Sequence, residues 1–206
     1  MGMAIPYELS GRTGQKARTR DALIAAARAL LAGGETPTVE QAAAAASISR
    51  TTAYRYFSNQ RALLVAAHPE IEARSLLGPT PPPDAATRLD VVTDAMTRLF
   101  LETEPELRTM LRLSLEPAPV HQEKLLLRQG RAIVWLEDAL APLRDELSEP
   151  ELRRLVLAIR CAVGIEALVW LTDVARLSRA EAVELMRWSA RALFRSAVAD
   201  SARTSA

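Results

Sequence analysis

The chain has 206 residues, 49% of them apolar, which is enough for a substantial core and excludes global disorder. Its formal net charge of +1 is unevenly divided: residues 1–68 hold eight Lys/Arg and four acids, and the remainder 18 and 21. A basic small end joined to an acidic larger one suits a polyanion-binding module attached to a second domain.

Cys161 is the only cysteine, so an internal disulfide is excluded and a reducing cytoplasm fits. No continuous apolar segment of signal-peptide type opens the chain, and its most apolar stretch, Cys161 to Leu171, is too short to span a bilayer and carries Glu166. The sequence therefore reads as a soluble cytoplasmic protein without a membrane partner. Alanine, leucine and arginine dominate, which predicts an all-α fold of about nine helices.

Residues 1–16 mix Gly, Pro, Ser and Thr without a period and read as a flexible basic arm. From about Ala17, Leu23, Ala27, Leu30 and Leu31 share one helical face, until Gly33-Gly34 stops the helix. Thr38-x-x-Gln41 has capping-box spacing and opens a second helix that ends near Ala46-Ser47. Ser49 is the N-cap expected for a third helix, and a fourth starts near Ser58 or Asn59 and runs through Ala67 and beyond. Pro69 either bends it or ends it. The Pro-rich run Leu77 to Pro83 is a stiff connector. Five further helices are expected, at Asp84–Thr103, Glu106–Leu115, Val120–Leu140, Ser148–Leu177 and Ser178–Ala199, the last two opened by capping boxes. The domains are then the arm (1–16), a helix-turn-helix domain (17–67) and a larger helical domain (68–206).

The stretch "VEQAAAAASISRTTAYRYFSNQRALL" sets a run of alanines against a polar and aromatic segment. Two helices joined by a turn of three or four residues form a helix-turn-helix, whose first helix must lie close to the second. Ala42, Ala43, Ala45 and Ala46 are small enough for that contact. Ala53 and Phe57, four apart, would face inward and anchor the second helix. Ser49, Arg50, Thr51, Thr52, Tyr54, Arg55 and Tyr56 would then be free to meet phosphates and base edges. Ser47 to Arg61 contains three arginines and no acid, as a surface against DNA should.

"TRDALIAAARALL", "TVEQAAAAASISRTTAYRYF" and "NQRALL" together resemble the N-terminal DNA-binding domain of TetR-family transcriptional regulators. The resemblance covers about Arg18 to Ala67 and includes the aromatic block Tyr54-Arg55-Tyr56-Phe57. It implies a phosphate contact at Thr38, base or phosphate contacts from Arg50, Thr51 and Thr52, and backbone contacts from Tyr54 and Tyr56. Lys16, Arg18 and Arg20 either track the adjacent backbone or minor groove or form a solvated tail. The sequence departs from the family at three positions: Ala42 for the usual Ile, Ser47 for Gly at the turn, and Gln60 for Lys. If φ is positive at Ser47, the turn costs about 1 kcal/mol there.

In the larger part, Val183, Met186, Ala190, Leu193 and Phe194 form one stripe of the last helix. The helix before it, with Leu168, is apolar nearly all round. Either these two helices pair with their copies in a homodimer, or they are buried within one monomer. A dimer agrees with the resemblance and implies a pseudo-palindromic operator in double-stranded DNA. Met96, Phe100, Met110, Arg131, Trp135, Glu166 and Trp170 are candidates to line a small-molecule pocket, although such residues also make ordinary core. Gln129 and His121 are further polar candidates. Glu166 must pair with an arginine or face a cavity and its ligand. No metal-ligand spacing, phosphate-binding glycine loop or nucleophile elbow is present, so no metal, cofactor or enzymatic activity is expected. The function predicted is a repressor released from its operator by a small-molecule effector. Two alternatives remain, a DNA-binding regulator without a ligand and, more remotely, a small helical enzyme.

Overall fold

The computed structural model describes residues 7–68, 72–115 and 130–204. Among the described residues all regular structure is helical, without a strand. The chain divides into two compact units, 1–72 and 73–206.

The first unit is built from α1 (Tyr7–Ala32), α2 (Val39–Ala45), α3 (Arg50–Tyr54) and α4 (Gln60–Ala67). α1 packs on α2 and α4, and α2 on α3, around Leu23, Ala27, Val39, Ala42, Ala43, Ala53, Phe57 and Leu63. α1 begins ten residues earlier than its apolar spacing predicts, so the segment 7–16, expected as a flexible arm, is helical. Gly11 and Gly14 weaken a helix by about 1 kcal/mol each but do not break one, and no proline follows Pro6 until Pro37.

Two helix ends follow the same backbone pattern. At the end of α1, Gly34 takes φ 96°, and Glu35 N–H donates to Leu30 O at 3.0 Å. At the end of α2, Ser47 takes φ 55°, Ser47 N–H donates to Ala44 O at 3.1 Å and Ile48 N–H to Ala43 O at 2.8 Å. Both are left-handed stops that satisfy otherwise unpaired carbonyls; the first uses glycine and the second strains a serine. α4 stops at Ala67 instead of running on. His68, preceding a proline, sits outside the helical region at φ −136° and ψ 80°, and Arg28 Nε closes the end by donating to Ala67 O at 2.8 Å. Pro69, where a bend or an end was expected, lies outside the described residues.

The second unit contains α5 (Ala85–Glu102), α6 (Glu104–Ser114), α7 (Arg131–Ala139) with a following 3₁₀ turn at Ala141–Asp145, α8 (Glu149–Ala162), α9 (Ile165–Val169) with a π turn at Trp170–Val174, and α10 (Arg179–Thr204). α10 packs on both α5 and α8. It runs antiparallel to α5, as the ion pairs Arg187–Asp94 (2.7 Å) and Arg191–Asp90 (2.6 Å) show. The Ser201 hydroxyl near its far end donates to Glu146 O just ahead of α8. Leu89, Val92, Met96, Leu136, Val156, Ile159, Leu168, Met186 and Ala190 fill the core.

One long predicted helix is described only in part, and another is broken. Of the one expected over Val120–Leu140, α7 is described from Arg131, preceded by Gly130 at a left-handed φ of 77°, and residues 120–129 lie outside the described residues. The one expected over Ser148–Leu177 breaks at Val163 and Gly164. There the Arg160 guanidinium lies across the glycine, so close that an added Cβ would meet it at 1.9 Å. By length and composition the stretch 149–174 is apolar enough to cross a membrane, which the short Cys161–Leu171 segment alone did not suggest. Its apolar residues Leu155, Val156, Ile159, Val163, Ile165 and Leu168 are nonetheless in the unit's own core.

Candidate nucleic-acid interface

The polar segment singled out in the sequence lies on α3 and the turns flanking it. Its scaffold is the contact between α2 and α3, where Ala42, Ala43, Ala53 and Phe57 are all buried. Ala46 is half-buried and packs against the same core, while Ala45 is exposed and not part of it. With the apolar side of α3 held against α2, its other residues face outward. Arg50, Thr51, Tyr54 and Arg55 are exposed, and Thr52 is half-buried. Tyr56 is also half-buried, packed against the core of its unit, which leaves less of its ring for a partner than the resemblance implies.

Both helix starts are capped. The Thr38 hydroxyl accepts from Gln41 N–H at 3.2 Å while Gln41 Oε1 accepts from Thr38 N–H at 2.8 Å. The Ser49 hydroxyl accepts from Thr52 N–H at 3.2 Å and donates to Thr52 Oγ1 at 2.8 Å. Thr38 and Ser49 thus hold the local backbone, and each keeps an oxygen at a helix N-terminus, where an anion is favoured. Asn59 caps α4 in the same way, accepting from Ala62 N–H.

Lys16 and Arg18 are exposed on α1. Arg20 instead lies over the Phe57 ring, 5.7 Å from its centroid. Gln60, where the resemblance leads one to expect a lysine, donates to Thr36 O at 3.3 Å and Pro37 O at 3.1 Å, tying the first turn of α4 to the loop ahead of α2. One residue of this surface went unnoticed in the sequence. Glu40 Oε1 accepts from the Tyr54 hydroxyl at 2.7 Å and pairs with Arg50 at 3.1 Å. The hydrogen bond from Tyr54, helped by Arg50, lowers the Glu40 carboxyl below its ordinary range, and the same bond raises the Tyr54 phenol.

The residues expected to line a ligand pocket differ widely in exposure. Met96, Phe100, Met110 and Trp135 are buried; Met96, Phe100 and Trp135 belong to the core cluster, and Trp135 Nε1 donates to Ala73 O at 2.8 Å. Trp170 is 58% exposed. Glu166 is paired with Arg160 at 3.2 Å, one of the two fates open to it. Arg131 is half-buried at the start of α7, and His121 and Gln129 lie outside the described residues. Among the described residues, an open groove of about 570 Å³ is lined by Glu137, Arg144, Glu149, Pro150, Leu152 and Val156, together with Arg153, whose guanidinium pairs with Glu137 at 2.6 Å.

The expected dimer stripe also needs correcting. Leu168, Met186 and Ala190 are fully buried within the unit's own core, and Leu193 and Phe194 pack against it, with Val183 half-buried. A period of three and four marks the covered face of a helix without saying what covers it, and here α5 and α8 do so. Large apolar residues exposed from α8 onward are Leu157 on α8, Trp170 and Val174 in the π turn, and Leu185 and Trp188 on α10, beside Val91, Leu115 and Val134 earlier in the unit.

The second unit also holds an ionic cluster around one buried carboxylate, Glu104. Glu104 accepts from Arg108 Nε at 2.7 Å and from Arg179 Nε at 2.7 Å, and Arg108 reaches on to Asp173 at 2.7 Å and Thr172 at 3.2 Å. Burial pushes the Glu104 carboxyl up, but the bonds from Arg179 and Arg108 outweigh it and the net shift is downward. Arg108 and Thr172 hold Asp173 down at about 2. Among the described residues no group of three His, Cys, Asp or Glu is arranged to hold a metal. Compared with other proteins, the chain matches no family model, no curated protein and no solved structure.

Proposed function

We propose that this protein is a homodimeric DNA-binding transcriptional regulator of the TetR type, a repressor released from a pseudo-palindromic operator when a small molecule binds its larger unit. α2 and α3 are read as a helix-turn-helix, with α3 as the recognition helix. The observation that carries this reading is the division of α3 into two sides. Ala53 and the following Phe57 are buried against α2, while Arg50, Thr51, Tyr54 and Arg55 stand exposed with hydroxyls and guanidinium groups. That set offers donors to phosphate and bidentate partners to guanine.

Dimerisation is assigned to the outward apolar residues Leu157, Leu185 and Trp188 in place of the predicted stripe. Two copies present two recognition helices to successive major grooves, which is the geometry a pseudo-palindrome matches. The effector acts by binding one spacing of those helices more tightly than another. A second reading, a regulator without a small-molecule ligand, is favoured by one observation: Met96 and Trp135 are packed as core and Glu166 is already paired.

The test is a gel-shift with the full chain and duplexes tiled across the bases flanking its coding sequence. One duplex containing an inverted repeat is expected to be retained against excess random competitor, and a Thr51→Ala/Arg55→Ala variant to lose that retention while keeping its helicity. Uniform weak binding to every duplex, or retention unaffected by the double substitution, would overturn the reading.

A further inference from the structure

The most unusual group on the α2–α3 surface is its acid. Between Glu35 and Glu70 the sequence contains one carboxylate, Glu40, in a span that carries Arg50, Arg55 and Arg61. That carboxylate is placed on two of the residues assigned to DNA. A single oxygen, Oε1, takes both the Tyr54 hydroxyl and the Arg50 guanidinium, and Arg50 lies 5.7 Å from the Tyr54 ring centroid. The three side chains thus close a ring across α2 and α3. It remains open to solvent: Arg50 is 74% and Glu40 38% exposed.

A carboxylate and a phosphate ask the same things of an arginine and a phenol: a charge-assisted bond to the guanidinium and an O–H donor. An arginine already neutralised by a carboxylate brings no net charge to the DNA backbone. It therefore releases no additional counterion when it binds there, and the nearby carboxylate repels the phosphate. This penalty applies to every sequence alike, so it lowers the affinity for duplex as such. Resting on the DNA-binding reading above, we infer that Glu40 is an affinity-limiting residue of this surface, an internal stand-in for phosphate that holds Arg50 and Tyr54 in the free protein and weakens binding to duplex of any sequence.

The experiment measures binding of the full chain to a fluorescent duplex of random sequence by anisotropy, over about 0.05 to 0.3 M salt, the range in which phosphate contacts dominate. Glu40→Gln is expected to bind about tenfold tighter than wild type at the low-salt end, and its salt slope to steepen by about 1. Glu40→Ala, which removes the charge without leaving an amide, is expected to do the same, so the result does not depend on one variant's folding. Tyr54→Phe, which leaves the charges in place, is expected to leave the slope unchanged. If wild type binds the duplex and both Glu40 variants bind equally or more weakly, the inference fails while the DNA-binding reading stands. If neither wild type nor variant binds duplex at low salt, the DNA-binding reading itself fails and takes this inference with it.

Discussion

The two units each contain a carboxylate shared between two donors, and the two clusters are built for opposite ends. In the first unit Glu40 joins Arg50 and Tyr54 on an open surface, its side chain 38% exposed. In the second, Glu104 is only 7% exposed and is bonded by both Arg108 and Arg179, with Asp173 on the far side of Arg108. An exposed pair in water is worth little to stability and exchanges partners readily. A desolvated one must keep all its partners, because losing one leaves a buried group unsatisfied. The same chemistry thus gives a replaceable contact in one place and a fixed joint between α6, the π turn and α10 in the other.

The largest effect is expected where the joint is broken. Glu104→Ala removes the acceptor shared by two arginines and should lower the stability of the second unit by about 2 kcal/mol. The two units can be followed separately, because Trp135, Trp170 and Trp188 all lie in the second and Tyr7, Tyr54 and Tyr56 in the first. The tryptophan-detected urea transition should move to lower concentration in this variant, and the tyrosine near-ultraviolet signal of the folded first unit should persist. A variant with an unshifted tryptophan transition would place Glu104 in the same class as Glu40.

Acid sharpens the contrast with a smaller effect. The Asp173 and Glu104 carboxyls are both held below their ordinary values, so they bind fewer protons folded than unfolded. Their stabilisation is complete above the unfolded range near about 4 and is lost as pH falls toward the folded value of about 2 for Asp173. The tryptophan-detected midpoint should fall across that window, and in Glu104→Ala the fall should be shallower. An identical acid profile in the variant would mean that other carboxylates govern it.

The local structure of the first unit was legible because its signals are local. Thr38-x-x-Gln41, Ser49 and the spacing of Ala53 and Phe57 each act within one turn of helix, and each behaves in the structure as its spacing implies. Glu40 escaped notice because its partner Tyr54 is fourteen residues away, across a turn whose geometry has to be known before the two can be placed together. The same reason hides the joint in the second unit, where Glu104 and Arg179 are 75 residues apart. The stripe on the last helix is ambiguous in the sequence for a different reason. Met186 and Ala190 carry a sound helical period, but a period does not distinguish a face covered by its own chain from one covered by a copy.

The smallest effect belongs to the turn that holds the first cluster together. Ser47 adopts φ 55°, which places its Cβ against the following carbonyl, whereas Gly34 does the same work at the end of α1 without that strain. Ser47→Gly relieves the strain but adds freedom to the unfolded chain, so the two terms oppose each other. The steric term is the larger at a left-handed stop, and the net gain should be up to about 1 kcal/mol in the first unit. It is expected as a rise in the tyrosine-detected urea midpoint, with the tryptophan transition unmoved. Because the turn sets how α3 lies on α2, the Glu40 ring depends on its geometry but not on the residue that supplies it. Random-duplex affinity should therefore be the same in Ser47→Gly as in wild type. A change in affinity without a change in stability would show that the serine hydroxyl itself reaches the DNA.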